Sequence, residues 1–152
     1  MDPNLQIRLF CPADLKRILE IERTVFPGEA YTKAMFLKLY NTCNDLFVIA
    51  EYSRRIVGYV VTYSEPELAQ LISIAVEPQY RRKGVGTALM QYTLTKLTRR
   101  RIQSLLLMVR LTNRNALRFY RGFEFTRVGQ IAHYYPEDGA AVRLQKILRR
   151  SQ

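Results

Sequence analysis

The feature that most constrains the fold is residues 71–90, where an apolar run rich in β-branched residues meets basic residues and glycines. We expect a strand that ends near Glu77, because Pro78 has no backbone N–H to contribute to a sheet. Gly84 and Gly86 then let the backbone turn tightly into a helix. The stretch therefore predicts a strand, a turn and a helix in succession.

The turn has the properties of an anion-binding site. A helix that begins at about Gly84 leaves its first backbone N–H groups unpaired and turns the positive end of its dipole toward the loop. Arg81, Arg82 and Lys83 add positive side chains at the same place. The stretch is not a Walker loop, because no Gly-Lys-Ser/Thr ends it, and it lacks the third glycine of a dinucleotide fingerprint. The sequence therefore predicts a different phosphate ligand.

The 152 residues are expected to form one domain, residues 1–152, built from alternating strands and helices. A short connection at residues 53–55 is typical of an antiparallel hairpin. The apolar run at residues 105–111 follows a helix, which predicts parallel pairing with the strand before that helix. Strands are predicted at residues 6–10, 46–52, 56–63, 68–77, 105–111, 124–128 and 141–145. Helices are predicted to begin near Asp14, Thr32, Gly84 and Asn113.

The Arg-x-x-Gly-x-Gly pattern of residues 81–86 resembles the (Gln/Arg)-x-x-Gly-x-(Gly/Ala) loop of the GNAT N-acetyltransferase superfamily. The element order is similar to that of the family over nearly the full length. The resemblance implies an α/β GNAT fold, a mixed, mostly antiparallel sheet splayed between its fourth and fifth strands with flanking helices. The implied cofactor is acetyl-coenzyme A. Its pantetheine arm would contact Ile74, Ala75 and Val76, and its pyrophosphate would contact Arg81, Arg82, Lys83, Gly84, Val85, Gly86 and Thr87.

A second segment, residues 108–120, resembles the Glu-Val-Arg-x-Ser/Thr-Asn-x-x-Ala-x-x-x-Tyr segment of protein N-terminal acetyltransferases. Asn113, Ala116 and Tyr120 are in register with it. The resemblance implies that Asn113 belongs to the cofactor site. It also implies that the Tyr120 hydroxyl protonates the departing thiolate or holds the sulfur. The chain departs from the family in spacing, because Tyr120 stands two residues before Gly-Phe instead of four.

The sequence leaves the general base open. Met108 stands where ribosomal-protein acetyltransferases carry a glutamate, and Gln70 stands where archaeal relatives carry a histidine. Neither side chain can take a proton. The segment at residues 26–31 resembles the Leu-Pro-Glu-Asn-Tyr loop of those relatives, which makes Glu29 the leading candidate to accept the proton through water or to position the substrate. A glutamate in an exposed loop is also commonly just solvated.

Two further segments bear on the substrate. His133 is the second candidate for the base, because histidine titrates in the useful range, although a lone histidine near a loop is commonly incidental. Residues 131–140 resemble the tyrosine-bearing segment that lines the peptide groove of N-terminal acetyltransferases. The resemblance implies that Tyr134 and Tyr135 bind substrate together with Glu29 and Tyr31. The alternative is a tyrosine-bearing hairpin at the sheet edge.

The resemblance implies a cytoplasmic protein Nα-acetyltransferase of the ribosomal-protein or archaeal type. The N-terminal amine of a peptide or protein would attack acetyl-coenzyme A directly, without an acyl-enzyme and without a metal. The formal net charge of +11 favours anionic partners, which include coenzyme A and a ribosome or ribosomal-protein assembly. No apolar run reaches the roughly 18 residues of a membrane span, so no membrane partner is expected. A monomer or homodimer is expected.

Two other functions stay open on the sequence. A GNAT enzyme that acetylates a small amine, such as a polyamine, an antibiotic or an amino acid, would carry acidic pocket residues in place of a tyrosine-lined groove. A GNAT-like binding module that has lost catalysis would hold ribosome or nucleic acid with its basic surface. Met108 and Gln70 keep the binding module open, whereas the intact cofactor loop and Tyr120 argue against it.

Overall fold

A computed structural model describes residues 2–135 and 139–149 of the chain. Its strands are β1 (Leu5–Leu9), β2 (Phe47–Tyr52), β3 (Arg55–Ser64), β4 (Leu68–Val76), β5 (Ser104–Arg110), β6 (Thr126–Tyr135) and β7 (Gly139–Ile147). Its helices are α1 (Leu15–Val25), α2 (Lys33–Cys43), α3 (Val85–Arg99) and α4 (Arg114–Gly122). Each predicted strand and helix is therefore present, with ends that differ from the prediction by a few residues at most places.

The strands form one mixed sheet in the order β1-β2-β3-β4-β5-β7-β6. The β4–β5 pair is parallel, with Leu68, Ala69 and Gln70 opposite Ser104, Leu105 and Leu106. The pairs β1–β2, β2–β3, β5–β7 and β6–β7 are antiparallel. The predicted α/β fold with a mixed, mostly antiparallel sheet and a parallel strand pair around a crossover helix is confirmed.

The described chain divides into two compact units. The first unit contains the residues up to Tyr63 together with Leu71–Lys96, and the second contains Ser64–Gln70 and the residues from Leu97 onward. The boundary falls inside β4, so the parallel ladder with β5 lies wholly in the second unit. The expected single domain over residues 1–152 and the splay between these strands stay predictions.

The core of the first unit lies between α1, α2 and the strands β2 and β3. Ile18 and Ile21 point inward from α1, because apolar residues spaced three or four apart share one face of a helix. They join Phe36, Phe47 and Tyr59, whose rings are fully buried and meet edge-on or tilted. The predicted start of α2 near Thr32 is confirmed, and the Thr32 hydroxyl caps the helix by accepting the Met35 N–H at 3.2 Å.

The second unit is built on β5 and the β6–β7 hairpin. Leu105, Leu107 and Val109 are buried on one face of β5, and Leu106 and Met108 are half-buried on the other, as the two-residue period of a strand requires. The strand β6 runs well beyond its predicted end at residue 128 because it pairs with β7 as far as Tyr135. No helix among the described residues is long and apolar enough to cross a membrane.

Candidate functional site

The predicted phosphate loop joins β4 to α3 within the first unit. Arg82 and Gly84 both have left-handed backbones, with φ of 63° and 81°, which turn the chain into the helix. A Cβ at Gly84 would meet nothing within 4 Å, so glycine serves the backbone conformation there and not the space around it. The Gly84 carbonyl accepts the Ala88 N–H at 2.9 Å, which fixes the start of α3. The N–H groups of the first helical turn therefore face the loop without helical acceptors.

The basic side chains of this loop are open to solvent. Arg81, Arg82 and Lys83 are all exposed, while Val85 behind them is buried. The Arg81 Nε donates to the Val76 carbonyl at 3.2 Å and ties the loop to the end of β4. A positive helix start and three exposed cations suit a polyanion such as a diphosphate.

The end of β4 offers backbone groups for the pantetheine arm. Glu77 donates its N–H to the Val57 carbonyl of β3 at 2.8 Å. Backbone groups of successive strand residues point to opposite edges, so Ala75 also faces β3, whereas Ile74 and Val76 point away from it. Ile74 and Val76 therefore have the orientation that their predicted cofactor contacts require, whereas Ala75 does not, and all three contacts stay predictions.

The loop between α1 and α2 carries Glu29 and Tyr31, also in the first unit. Glu29 is exposed, and its N–H donates to the Phe26 carbonyl at 3.1 Å. The Tyr31 N–H donates to Oε2 of Glu22 at 2.9 Å. The structure therefore places two of the four predicted substrate residues on one short loop whose end is held by a carboxylate of α1.

Glu22 is the residue of this region that sequence reasoning missed. Its carboxylate is 1% exposed and also accepts a hydrogen bond from the Tyr59 hydroxyl, which lies 2.9 Å from Ser73 Oγ on β4. Burial raises the pKa of Glu22, and the bonds from Tyr31 and Tyr59 act in the opposite direction. The available signal was position, because Glu22 continues the inward stripe of α1 that contains Ile18.

Tyr120 and Asn113 lie at opposite ends of α4 in the second unit. Tyr120 is 6% exposed and packs edge-on against Phe119 and Phe125, with ring centroids 5.4 and 5.5 Å away. Burial, with a smaller contribution from Tyr135, raises the pKa of Tyr120, so its hydroxyl keeps its proton at neutral pH. A protonated phenol can donate to a departing thiolate.

The short spacing after Tyr120 coincides with the end of α4. The N–H groups of Phe123 and Phe125 both donate to the Tyr120 carbonyl, at 3.0 and 3.1 Å, and the helix ends at Gly122, two residues after the tyrosine. At the other end, the Asn113 side chain caps α4 by accepting the Ala116 N–H at 3.1 Å. This cap gives Asn113 a structural role, and its predicted contact with the cofactor stays a prediction.

A cavity of about 220 Å³ opens on the second unit. It is lined by Gln70, Leu106, Leu107, Met108, Ile131, Tyr134 and Arg143. The cavity thus unites Gln70 and Met108, the two positions at which the sequence predicts no base in this chain, with the predicted substrate residue Tyr134. Arg143 is the lining residue that sequence reasoning missed, although its alternation with the buried Val142 and Leu144 marks it as outward-facing.

A β-bulge brings Tyr134 into this cavity. In a regular strand, residues three apart face opposite sides, so Ile131 and Tyr134 would not line one cavity. The register of β6 against β7 shifts between Ile131 and Tyr135, and His133 has a left-handed φ of 59°. Four steps along β6, from Ile131 to Tyr135, match only two steps along β7, from Ala141 to Gly139. The two extra residues of β6 let Tyr134 line the cavity with Ile131, as bulges beside functional sites commonly re-aim a side chain.

The neighbouring tyrosine has a different environment. Tyr135 is half-buried, its ring lies edge-on to that of Tyr134, and the Arg110 guanidinium sits 4.3 Å from its centroid. Neither Tyr135 nor His133, which is exposed, is among the residues that line the cavity. Glu137 and Asp138 of the same predicted segment lie outside the described residues. Predicted substrate contacts of Tyr135 and a proton-accepting role of His133 stay predictions.

Comparison with known proteins places these features in a family. The Acetyltransferase (GNAT) family matches residues 15–125. An N-alpha-acetyltransferase of Sulfolobus acidocaldarius is 32% identical over 147 residues, which covers 88% of this chain and 87% of that protein. The ribosomal protein bS18-alanine N-acetyltransferase of Escherichia coli is 32% identical over 82 residues, 54% of this chain and 55% of that one.

A solved structure extends this likeness over almost the whole chain. The crystal structure of Ard1 from Thermoplasma volcanium is 29% identical, with a TM-score of 0.92, and the match covers 97% of this chain and 99% of that one. Sequence and structure therefore agree with the resemblance that the two motif segments carried. The chain belongs to the GNAT family of N-acetyltransferases.

Proposed function

We propose that this N-acetyltransferase transfers the acetyl group of acetyl-coenzyme A to the α-amino group at the N-terminus of a peptide or protein. Enzymes of the GNAT family use acetyl-coenzyme A as donor. The observation that carries the choice of acceptor is the cavity, because Tyr134 meets Gln70 and Met108 there and no carboxylate is among its lining residues. An enzyme for polyamines would need acidic residues to bind its cationic substrate.

The residues of the first unit fit the carrier. The diphosphate is suited by the start of α3 and by three exposed cations, Arg81, Arg82 and Lys83. The pantetheine amides are suited by the backbone groups of Ile74 and Val76 that point away from β3. When bound, acetyl-coenzyme A supplies the acetyl thioester. The residues of the chain hold the carrier, orient the amine, accept one proton from the amine and donate another to the leaving sulfur.

We assign those protons to two side chains. The acceptor nitrogen forms a bond to the acetyl carbon as the carbon–sulfur bond breaks, without an acyl-enzyme. Tyr120, which burial keeps protonated, donates its proton to the leaving sulfur. Glu29 accepts the proton of the amine through water, since Met108 and Gln70 cannot. Binding of a ribosomal protein N-terminus, a cytoplasmic location and a monomeric or homodimeric state complete the proposal.

A labelled acetyl-transfer assay tests the function. The acceptors are a peptide with a free α-amine, the same peptide with a blocked N-terminus and an internal lysine, and spermidine. We expect label only on the free α-amine. Label on spermidine would support the small-amine enzyme, and no transfer to any acceptor despite binding of acetyl-coenzyme A would support a binding module. Glu29→Gln should lower turnover and alter its pH profile if Glu29 handles the proton.

A further inference from the structure

The cavity of the second unit carries a positive charge that no described residue neutralises. Arg143 lies on β7, opposite Met108 of β5 and Gly129 of β6. Its side chain is exposed, and no carboxylate among the described residues pairs with it. The lining holds no other charged residue. Within the part of the chain that the structure describes, the cavity is therefore a cationic site without a counter-ion.

The surroundings of Arg143 strengthen its attraction for an anion. Leu106, Met108 and Ile131 provide apolar walls, which lower the local dielectric and make a charge pair stronger than in open water. Gln70 and Tyr134 add hydrogen-bond donors within the same lining. A guanidinium binds a carboxylate through two parallel hydrogen bonds, which gives direction as well as affinity.

The size of the cavity points to one amino-acid side chain. Its volume of about 220 Å³ is below the roughly 300–1,000 Å³ of pockets that hold whole drug-sized ligands. Two of the lining residues that flank this space, Met108 and Gln70, are neutral. No negative charge in the lining therefore opposes an acidic side chain.

We propose that this cavity receives the first side chain of the acceptor and that Arg143 selects a carboxylate there, so that preferred N-termini begin with Asp or Glu. The inference rests on the proposed function, because it names the substrate class of that enzyme. Gln70 and Tyr134 complete the recognition by donating hydrogen bonds to the carboxylate.

A peptide series tests this selection. Peptides that differ only in the first residue, Asp, Asn, Glu, Gln, Ala or Lys, are compared by kcat/KM at saturating acetyl-coenzyme A and low salt. The wild-type enzyme should favour Asp over Asn and Glu over Gln by about tenfold or more. Because each pair differs in charge at nearly equal size, the ratio isolates the contribution of the carboxylate.

Variants of the chain make the test specific. Arg143→Gln should abolish the preference by raising KM for the acidic peptides alone, and Arg143→Glu should favour the Lys peptide. Met108→Glu places a carboxylate directly across the ladder from Arg143 and should also weaken the preference. Arg127→Gln is the matched control, because this exposed arginine of β6 lies outside the cavity lining and should leave the order of substrates unchanged.

The outcomes separate the two proposals. Equal use of charged and neutral first residues, or an unchanged preference in Arg143→Gln, would overturn the selection of acidic N-termini and leave N-terminal acetylation intact. Transfer to none of the peptides would overturn both. If Arg143→Gln fails to fold, Met108→Glu still decides, because an unaltered preference in that variant contradicts a role of the Arg143 charge.

Discussion

Tyr120 combines burial with a hydroxyl that keeps its proton. Its ring packs between Phe119 and Phe125, and burial raises its pKa above the ordinary tyrosine range. A group that must give a proton to sulfur at neutral pH has to carry that proton beforehand. The environment of this side chain therefore suits the acid half of the reaction.

Removing the Tyr120 hydroxyl should lower turnover. Tyr120→Phe keeps the buried ring and deletes the proton donor, so we expect kcat to fall by about 100-fold with little change in KM. Tyr92→Phe on α3 is the control, because that half-buried ring contacts Lys96 and has no assigned role. Steady-state kinetics measure both, and a kcat for Tyr120→Phe within about twofold of wild type would remove it from the mechanism.

Glu22 should affect stability with a definite dependence on pH. Burial raises the pKa of this carboxyl in the folded protein. Its contribution to stability is therefore complete below the ordinary glutamate range, about pH 4.3, and is lost as pH rises through the folded-state pKa. Urea unfolding should show the wild-type protein losing stability relative to Glu22→Gln as pH rises from 4 to 7. A constant difference would contradict the raised pKa.

The same residue should influence the substrate loop. Glu22→Leu removes the acceptor of the Tyr31 N–H and should cost about 1–3 kcal/mol of unfolding free energy. The leucine variant should also have a raised KM for the peptide substrate. Because Glu22→Gln retains one carbonyl oxygen as an acceptor, its KM for the peptide should lie between those of the leucine variant and the wild type. An equal peptide KM in both variants and the wild type would show that the tie does not position the loop.

Among the elements, the loop from β4 to α3 depends on one left-handed glycine. Gly84→Ala places a Cβ in a backbone with φ of 81°, which costs about 1–2 kcal/mol although space is available. The strain should displace the helix start and raise KM for acetyl-coenzyme A. Gly28→Ala has the same φ and the same open space, so it is a matched control. Gly28→Ala should lose similar stability without a rise in the KM for acetyl-coenzyme A. Calorimetric titration with coenzyme A checks the corresponding affinity of both variants.

Periodicity predicted most elements, but it could not predict the bulge in β6. Strand 105–111 and the parallel pair around α3 follow from apolar patterning and from the handedness of crossover connections. By contrast, the two-residue period places Ile131 and Tyr134 on opposite faces, and only the pairing with β7 reveals the two extra residues of β6. Arg143 was missed for a related reason, since its importance depends on neighbours from three other strands.

Glu22 shows a second limit of sequence reasoning. A glutamate on the inward stripe of a helix contradicts the apolar pattern, and its partners, a loop N–H and a tyrosine of β3, are distant in the chain. Family resemblance pointed to residues 81–86 and to Tyr120, whose roles stay predictions, whereas the buried carboxylate of Glu22 needed coordinates. The sequence is thus informative about local motifs and weak on contacts that tertiary structure creates.

For the whole molecule, acid should destabilise the fold through paired carboxylates. Burial alone would raise the pKa of Asp14, but hydrogen bonds from the Arg8 guanidinium and the Cys11 N–H lower it overall. Burial would likewise raise the pKa of Glu77, but the Arg17 guanidinium lowers this pKa overall. Carboxyl groups with lowered pKa values contribute stability above their ordinary range and lose it as pH falls through the folded-state pKa. Their contribution to stability therefore increases with pH, whereas that of Glu22 decreases with pH.

The corresponding experiment is urea unfolding of wild type and Asp14→Asn between pH 7 and pH 2. We expect the urea concentration at the unfolding midpoint of the wild-type protein to decrease once the pH drops below about 4. At pH 7 the variant should be less stable by about 1–2 kcal/mol, a value limited by solvent around the partly exposed Arg8. The difference should shrink toward pH 2, and a difference that stays constant would contradict an ionised Asp14 in the folded protein.

The hairpin of β6 and β7 gives its two adjacent tyrosines different neighbours. Tyr135 pairs with Gly139 and lies against the Arg110 guanidinium, whereas Tyr134 lines the cavity with Ile131. The additional residues of β6 separate these two positions, and the left-handed backbone at His133 lies among them. A change of backbone torsion at this exposed residue would therefore alter the shape of the cavity while the chemistry of its lining stayed the same.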